Sequence, residues 1–151
     1  MINLTLVQME HEHLAAIAEL EQICFTQPWS YKSLEEELSN DTAHFFVALA
    51  EGEVAGYIGV FVVCESCFVT NVAVFPQYRR QGVGRALLKI AILTADAMGT
   101  DFISLEVRKS NYPAIALYES LGFEEMGLRK NFYRHPTEDA LIMTKLFQRK
   151  D

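Results

Sequence analysis

Apolar and polar residues follow two different spacings along the chain, and these spacings predict strands and helices in a mixed order. Ile2–Val7 is rich in residues that favour a strand, whereas Glu10–Phe25 places its apolar residues at helical spacing. Pro28 ends that helix, and Ser30 is suited to cap a second helix whose Glu35–Glu37 run faces solvent. The first part of the chain therefore predicts one strand and two helices.

A strand meander is predicted next, because three apolar segments are separated by residues that form turns. The segments are Ala43–Ala50, Val54–Val63 and Cys67–Phe75, with turns expected at Glu51–Gly52 and Glu65–Ser66.

The helix predicted over Gly82–Met98 is apolar nearly all round and is ended by Gly99. Its polar residues Arg85, Lys89 and Asp96 form one narrow stripe, so most of the helix is expected to be buried against the sheet.

Alternating residues then predict a strand over Asp101–Arg108. Asn111 is suited to cap a following helix that Gly122 ends, and the strands Phe123–Arg129 and Asp139–Phe147 complete the chain. We expect a single domain over residues 1–151, of the α/β or α+β class.

Composition excludes several classes of protein. Half of the residues are apolar, no apolar run is long enough for a membrane span, and the N-terminus lacks the pattern of a signal peptide, so we expect a cytoplasmic protein. Three cysteines do not suggest a disulfide framework; Cys64 and Cys67 are interpreted as part of a hairpin, and Cys24 as a core residue. His11, His13 and His135 are expected at the surface, and no metal site is predicted.

Charge is unevenly distributed along the chain. The net charge is −7, yet up to Tyr78 there are eleven acidic residues and only Lys32 is basic, whereas the remainder is slightly basic. The acidic part would repel nucleic acid and attract a basic peptide. Solvated helix faces that keep the protein soluble are an equally good interpretation.

The residues between the predicted meander and the apolar helix suggest a phosphate-binding loop. Glycines at such a junction allow close approach of a ligand, and the first N–H groups of a helix have no intrahelical partner. A dinucleotide-binding turn requires a third glycine where this chain has Leu87, and a P-loop requires Gly-Lys-Ser/Thr, which is absent. The loop instead resembles the Gln/Arg-x-x-Gly-x-Gly/Ala signature of the GNAT acetyltransferase family, as Arg79-Arg80-Gln81-Gly82-Val83-Gly84.

A second block supports this resemblance. DFISLEVRKSNYPAIALYESLGF, at 101–123, is similar to a block of the ribosomal-protein-alanine N-acetyltransferase (RimI) branch of that family, as are the PWS at 28–30 and the EDALIM at 138–143. The resemblance implies a mixed, mostly antiparallel sheet that is splayed at its central strands and has helices on both faces. It also implies binding of acetyl-coenzyme A by backbone or side chains of Val72, Ala73, Val74, Arg79, Arg80, Gln81, Gly82, Val83, Gly84, Arg85, Asn111 and Tyr118.

Two residues of this block are candidates for catalysis. Glu106 is a carboxylate in an otherwise apolar strand, where it is either paired with a basic residue such as Arg108 or used as a base. The phenol of Tyr118 can donate a proton to a departing thiolate, although a tyrosine that merely packs its ring is common. The resemblance implies that Glu106 is the general base and Tyr118 the general acid.

The resemblance further implies that Trp29 and Tyr133 border the acceptor site, with Phe132 replacing a usual tyrosine. We expect transfer of acetyl to a protein N-terminus by direct attack in a ternary complex, since no cysteine is expected near the reaction centre. The expected acceptor is the N-terminal alanine of a basic small-subunit ribosomal protein, and the enzyme is expected to be a monomer or weak homodimer. An amino sugar or polyamine acetyltransferase and a non-catalytic acyl-coenzyme A-binding module remain alternatives.

Overall fold

The computed structural model describes residues 2–148, which form seven strands and four α-helices. Both ends of the predicted domain, Met1 and 149–151, lie outside the described residues. In chain order the elements are β1 (Leu4–Gln8), α1 (Leu14–Cys24), α2 (Tyr31–Glu37), β2 (Ala43–Ala50), β3 (Glu53–Val63), β4 (Ser66–Val74), α3 (Val83–Ala97), β5 (Phe102–Arg108), α4 (Tyr112–Ser120), β6 (Glu124–Tyr133) and β7 (Glu138–Leu146).

The seven strands form one sheet in the order β1-β2-β3-β4-β5-β7-β6. Among the strands of residues 2–148, β4 and β5 are the only parallel pair, and the other neighbours are antiparallel. The fold is therefore α+β, with the mixed and mostly antiparallel sheet that was expected.

Helices cover both faces of the sheet, as predicted. On one face, α3 and α4 contribute Leu87, Leu88 and Tyr118 to a core with Ile58 and Ile103 of the sheet. On the other face, α1 and α2 form a second core with Phe45 and Tyr57, to which they contribute Leu14, Ile17, Leu20 and Leu34. The sheet is therefore apolar on both sides where helices cover it, and β3 has no exposed residue between its first and last positions.

The local signals for helix ends are confirmed. The Ser30 hydroxyl accepts from the N–H of Ser33 at 3.1 Å, and the Asn111 side chain accepts from the N–H of Ala114 at 3.3 Å. Gly99 follows α3 with φ +78°, a conformation that favours glycine.

Most of α3 packs on the sheet as expected, and Leu93 extends its exposed polar stripe, with 64% of its surface exposed. Two expectations about single elements are wrong. His13 is buried rather than exposed, because its Nδ1 accepts from the N–H of Glu10 in a short 3-10 turn before α1. β6 continues to Tyr133 instead of ending at Arg129, because Tyr133 pairs with Glu138 of β7.

The sheet splays between β4 and β5. These strands pair only over Ser66–Phe68 and Phe102–Ser104, although both continue further. A bulge in β4 at Thr70 accompanies the separation, and the Thr70 hydroxyl donates to the carbonyl of Gly59 at 3.1 Å. A Cβ on Gly59 would lie 2.6 Å from the ring of Phe45, so only glycine fits opposite the bulge. The divergence of β4 from β5 opens the cleft described next.

Candidate active site

A cleft of about 700 Å³ lies between the separated ends of β4 and β5. It brings together the candidate catalytic residues Glu106 and Tyr118 with residues that are far away in sequence. The other predicted site residues that line it are Val72, Asn111, Trp29 and Tyr133.

Glu106 lies on β5, where its neighbour in β7 is Ile142, and its side chain lines the cleft. One carboxylate oxygen is 3.5 Å from Nε of Arg129, and the side chain is 32% exposed. Arg108, the partner considered from the sequence, instead lies 3.4 Å from Glu138. The charge is therefore not enclosed in the core: it is solvated by the cleft and accessible to a substrate amine.

Tyr118 lies on α4 and is buried, with its ring packed against Phe123. Burial, with a smaller contribution from Tyr133, raises the pKa of its hydroxyl to about 12. The phenol therefore keeps its proton throughout the physiological range and can donate it.

Trp29 and Tyr133 both line the cleft, although they are far apart in the sequence. Trp29 lies in the loop between α1 and α2, with its ring centroid 5.9 Å from that of Phe45. The guanidinium of Arg108 lies 4.4 Å above the ring of Tyr133 and donates to the carbonyls of Arg134 and Pro136, which holds the turn between β6 and β7. Burial first, and then the negative charge of Glu106, raises the pKa of Tyr133 to about 12.

The predicted phosphate loop forms a second cavity of about 320 Å³ before α3. Gly82 is the N-cap of the helix with φ +83°, and Arg80 also has a left-handed backbone, with φ +62°. The first N–H bonded within the helix is that of Ala86, so the preceding ones are free of intrahelical bonds. The dipole and these N–H groups together suit a diphosphate. The residues that line this cavity are Val74, Tyr78, Arg79, Arg80, Gly82, Val83, Gly84, Arg85 and Leu117.

The side chains of this loop are not all directed to the cavity. Arg79 donates to the carbonyl of Val74 at 3.1 Å and contacts the sulfur of Cys24 at 3.4 Å, so it links the end of β4 to the end of α1. Arg85 donates to the hydroxyl of Ser120, and Gln81 to the carbonyl of Gln77. The exposed guanidinium of Arg80 adds positive charge beside the cradle.

The backbone groups of the three predicted residues Val72, Ala73 and Val74 on β4 do not all point in the same direction. The N–H of Phe75 bonds to the carbonyl of Ala55 on β3, at 2.8 Å. Because antiparallel pairs alternate, Ala73 also directs its N–H and carbonyl to β3, whereas Val72 and Val74 direct theirs to the gap. Both backbone groups of Val72 and the N–H of Val74 are therefore available to pair with an extended ligand, while the carbonyl of Val74 accepts from Arg79.

The residues that line the cleft without having been predicted for the site include Cys24, Asn71 and Arg108, and Glu21 is buried behind them. Cys24 is half-buried and lines the cleft, so the expectation of a core position away from the reaction centre is wrong. Burial raises the pKa of its thiol, which keeps it protonated and a poor nucleophile. Glu21 is one of the eleven acidic residues of the first part of the chain, and its spacing from Leu14 and Ile17 places it on the apolar face of α1, which is a sequence signal for its burial.

Within residues 2–148 no group of three His, Cys, Asp or Glu side chains is arranged to hold a metal ion. In the same part of the chain no helix has the length and apolarity needed to cross a membrane.

Comparison with known proteins agrees with the geometry. The profile of the Acetyltransferase (GNAT) family matches residues 14–123. The [Ribosomal protein bS18]-alanine N-acetyltransferase of Escherichia coli (strain K12) is 40% identical over 143 residues, which cover 92% of this chain and 95% of that protein. The N-alpha-acetyltransferase of Sulfurisphaera tokodaii is 34% identical over 140 residues, covering 84% of this chain and 83% of that protein.

A solved structure is also similar over almost its full length. The crystal structure of the ribosomal-protein-S18-alanine N-acetyltransferase from Escherichia coli has a TM-score of 0.90 to this chain, at 36% identity, and covers 99% of this chain and 97% of that one. This chain therefore belongs to the GNAT acetyltransferase family. It is an N-acetyltransferase that uses acetyl-coenzyme A, the acetyl donor of that family, as co-substrate.

Replacing Gly84 by Asp is expected to weaken acetyl-coenzyme A binding about tenfold or more, because it adds bulk and like charge where the diphosphate would meet the backbone. A Cβ at Gly84 would lie 3.6 Å from Leu117, an ordinary contact, so the variant should fold. Gly84→Ala is the matched control that adds bulk without charge. Unchanged affinity of Gly84→Asp in calorimetry would show that the coenzyme binds elsewhere.

Proposed function

We propose that this enzyme transfers acetyl from acetyl-coenzyme A to the N-terminal alanine of a basic small-subunit ribosomal protein, in the cytoplasm. The observation that carries the proposal is the cleft that joins Glu106 and Tyr118 to a wall formed by Trp29 and Tyr133. The acceptor is supported by relatives at 40% identity that are named for the alanine of ribosomal protein bS18. Those relatives also favour a protein acceptor over an amino sugar or polyamine.

The binding mode follows from the two cavities. The free N–H groups before α3, with Arg80 beside them, would hold the diphosphate of the coenzyme. The backbone groups of Val72 and Val74 would pair with the amides of its pantetheine arm. A coenzyme bound in this way would have its thioester in the cleft, where Glu106 and Tyr118 are located.

The proposed chemistry is one direct transfer. The carboxylate of Glu106 takes a proton from the acceptor ammonium, which gives the neutral amine a lone pair for attack. The C–N bond forms at the thioester carbonyl carbon and the C–S bond breaks. The thiolate of the coenzyme leaves and takes the proton of the Tyr118 hydroxyl. The nitrogen then gives up its second proton, which restores the Tyr118 phenol through solvent, and Glu106 releases the first proton to solvent. Because the Cys24 thiol stays protonated, no acyl-enzyme step is invoked.

The acidity of the acceptor favours an N-terminus over a lysine. An α-amine with a pKa near 7.8 is roughly a tenth neutral at pH 7, whereas a lysine is less than about a thousandth neutral. A single solvated carboxylate such as Glu106 has less work to do with the α-amine. The acidic helices next to the cleft, with Glu35 and Glu36 exposed, would attract a basic peptide.

The test is a panel of acceptors with acetyl-coenzyme A, followed by thiol release and mass spectrometry. Peptides with N-terminal alanine and a following basic residue should give the highest kcat/KM, and the advantage over neutral peptides should shrink in high salt. N-terminally blocked peptides that contain lysine serve as the control. Faster reaction of spermidine, an amino sugar or the blocked peptides than of any free N-terminus would contradict the proposal.

A further inference from the structure

A buried carboxylate, that of Glu21, links the loop that carries Trp29 to two strands of the sheet. Glu21 lies on α1 and has no exposed surface. One of its oxygens accepts from the backbone N–H of Trp29 at 2.8 Å, and the other accepts from the hydroxyl of Tyr57 at 2.6 Å. The side-chain amide of Asn71 lies 3.2 and 3.4 Å from the two oxygens. Three elements therefore meet at one side chain: the loop after α1, strand β3 and strand β4.

All of these partners are donors, which matches the ionised form of Glu21, because a carboxylate only accepts hydrogen bonds. Burial raises the pKa of Glu21, and its bonds to Tyr57, Trp29 and Asn71 oppose this rise. Burial and the charge of Glu21 also raise the pKa of Tyr57, so that its hydroxyl keeps the proton it donates. Burying a carboxylate is costly, and three donors are what make this position tolerable.

The location of these bonds connects Glu21 to the acceptor. Phe25, Thr26, Gln27 and Trp29 of the loop line the cleft, and so do Asn71 and Val72 of β4. Asn71 directly follows the bulge at Thr70, in the part of β4 that no longer pairs with β5. The tie to Trp29 is made through the backbone, which leaves the indole free to face the cleft and Phe45.

We propose that Glu21 is a positioning residue, which holds the Trp29 loop against Asn71 and so shapes the site for the acceptor peptide. The proposal rests on the proposed function for the identity of the acceptor. Glu21 would not contact the reacting atoms. Its bonds are made to the loop that carries Trp29 and to β3 and β4, not to the coenzyme-binding loop before α3. Loss of the carboxylate should therefore affect the peptide far more than the coenzyme.

The test replaces Glu21 by Gln, which keeps the shape but directs an N–H₂ group at donors. We expect the KM for the alanine peptide to rise about tenfold or more, with the KM for acetyl-coenzyme A nearly unchanged. Glu19→Gln, an exposed position on the same helix, is the matched control and should leave both values unchanged. Trp29 is the only tryptophan, so its quenching by acrylamide reports the loop without any catalysis, and quenching should increase in Glu21→Gln.

A purely structural role would lower the melting temperature while the folded variant kept the wild-type peptide KM and Trp29 quenching; that result would overturn the proposal. If Glu21→Gln does not fold, Tyr57→Phe decides, since it removes only the 2.6 Å bond and keeps the ring. It should change the same two quantities in the same direction but less, and wild-type values would overturn the proposal. Failure of the proposed function is distinguished separately, as a wild-type enzyme that acetylates no free N-terminus.

Discussion

Replacing Glu106 by Gln is expected to lower kcat by roughly 10²–10⁴ while the affinity for acetyl-coenzyme A changes little, because the variant keeps the shape and loses the proton acceptor. The loss should be largest near pH 6 and should shrink towards pH 9, since the acceptor amine, with a pKa near 7.8, is then already neutral. The measurement is kcat for an N-terminal alanine peptide over this pH range, with coenzyme binding followed by calorimetry.

The ion pair with Arg129 provides the control. Arg129 is 56% exposed, and such exposed pairs contribute little to stability. Arg129→Met removes the pair but keeps the carboxylate, so it should retain most of the activity. If Arg129→Met and Glu106→Gln lost the same factor, or if the loss in Glu106→Gln did not depend on pH, the role of Glu106 would be pairing or positioning rather than proton abstraction.

The second large effect is expected from Tyr118→Phe, which should lower kcat on the order of 10²-fold because the leaving thiolate loses its proton donor. The ring and its packing against Phe123 are retained, so the variant should bind the coenzyme as the wild type does. Tyr112→Phe on the same helix, at a position that is 74% exposed, is the matched control. Full activity with reduced thermal stability would leave Tyr118 with a packing role only.

The raised pKa of Tyr118 adds a condition to this result. A phenol with a pKa of about 12 is neutral at every pH below about 11, so Tyr118 remains a competent acid in alkaline buffer. Wild-type activity should therefore show no alkaline decline caused by Tyr118 between pH 8 and pH 10. A decline in that range that Tyr118→Phe abolished would mean that the hydroxyl titrates at its ordinary pKa and that burial does not protect it.

Several parts of the fold and the site could be read directly from the sequence. The caps Ser30 and Asn111 act within a few residues, so their effect depends only on local sequence. Gly82 at the start of α3 is equally local, since the loop and the helix that form the cradle are contiguous. The alternation along β5 correctly separated Glu106 from the buried Leu105 and Val107.

Other features depended on which strands lie side by side. The sequence suggested Arg108 as the partner of Glu106 because the two are two residues apart on one face. In the structure the partner is Arg129 of β6. β7 lies between β5 and β6, and its Ala140 pairs with Arg108 on one side and with Arg129 on the other, which brings Arg129 near Glu106. Arg108 instead donates to the carbonyl of Pro136 and lies over the ring of Tyr133. No local sequence pattern reveals which strands are neighbours in the sheet.

The helices show the same division. Spacing along α1 places Glu21 on the apolar face, but it cannot reveal that Tyr57 and Asn71 donate hydrogen bonds to the carboxylate there. A buried acid is tolerated only when such partners exist, and these come from strands that are more than thirty residues away. The sequence by itself determined the order of the elements, the cradle and the candidate catalytic pair, because these depend on near neighbours. Only the tertiary structure decided how the splayed sheet gathers them into one cleft and which residues hold its walls, because those contacts join distant parts of the chain.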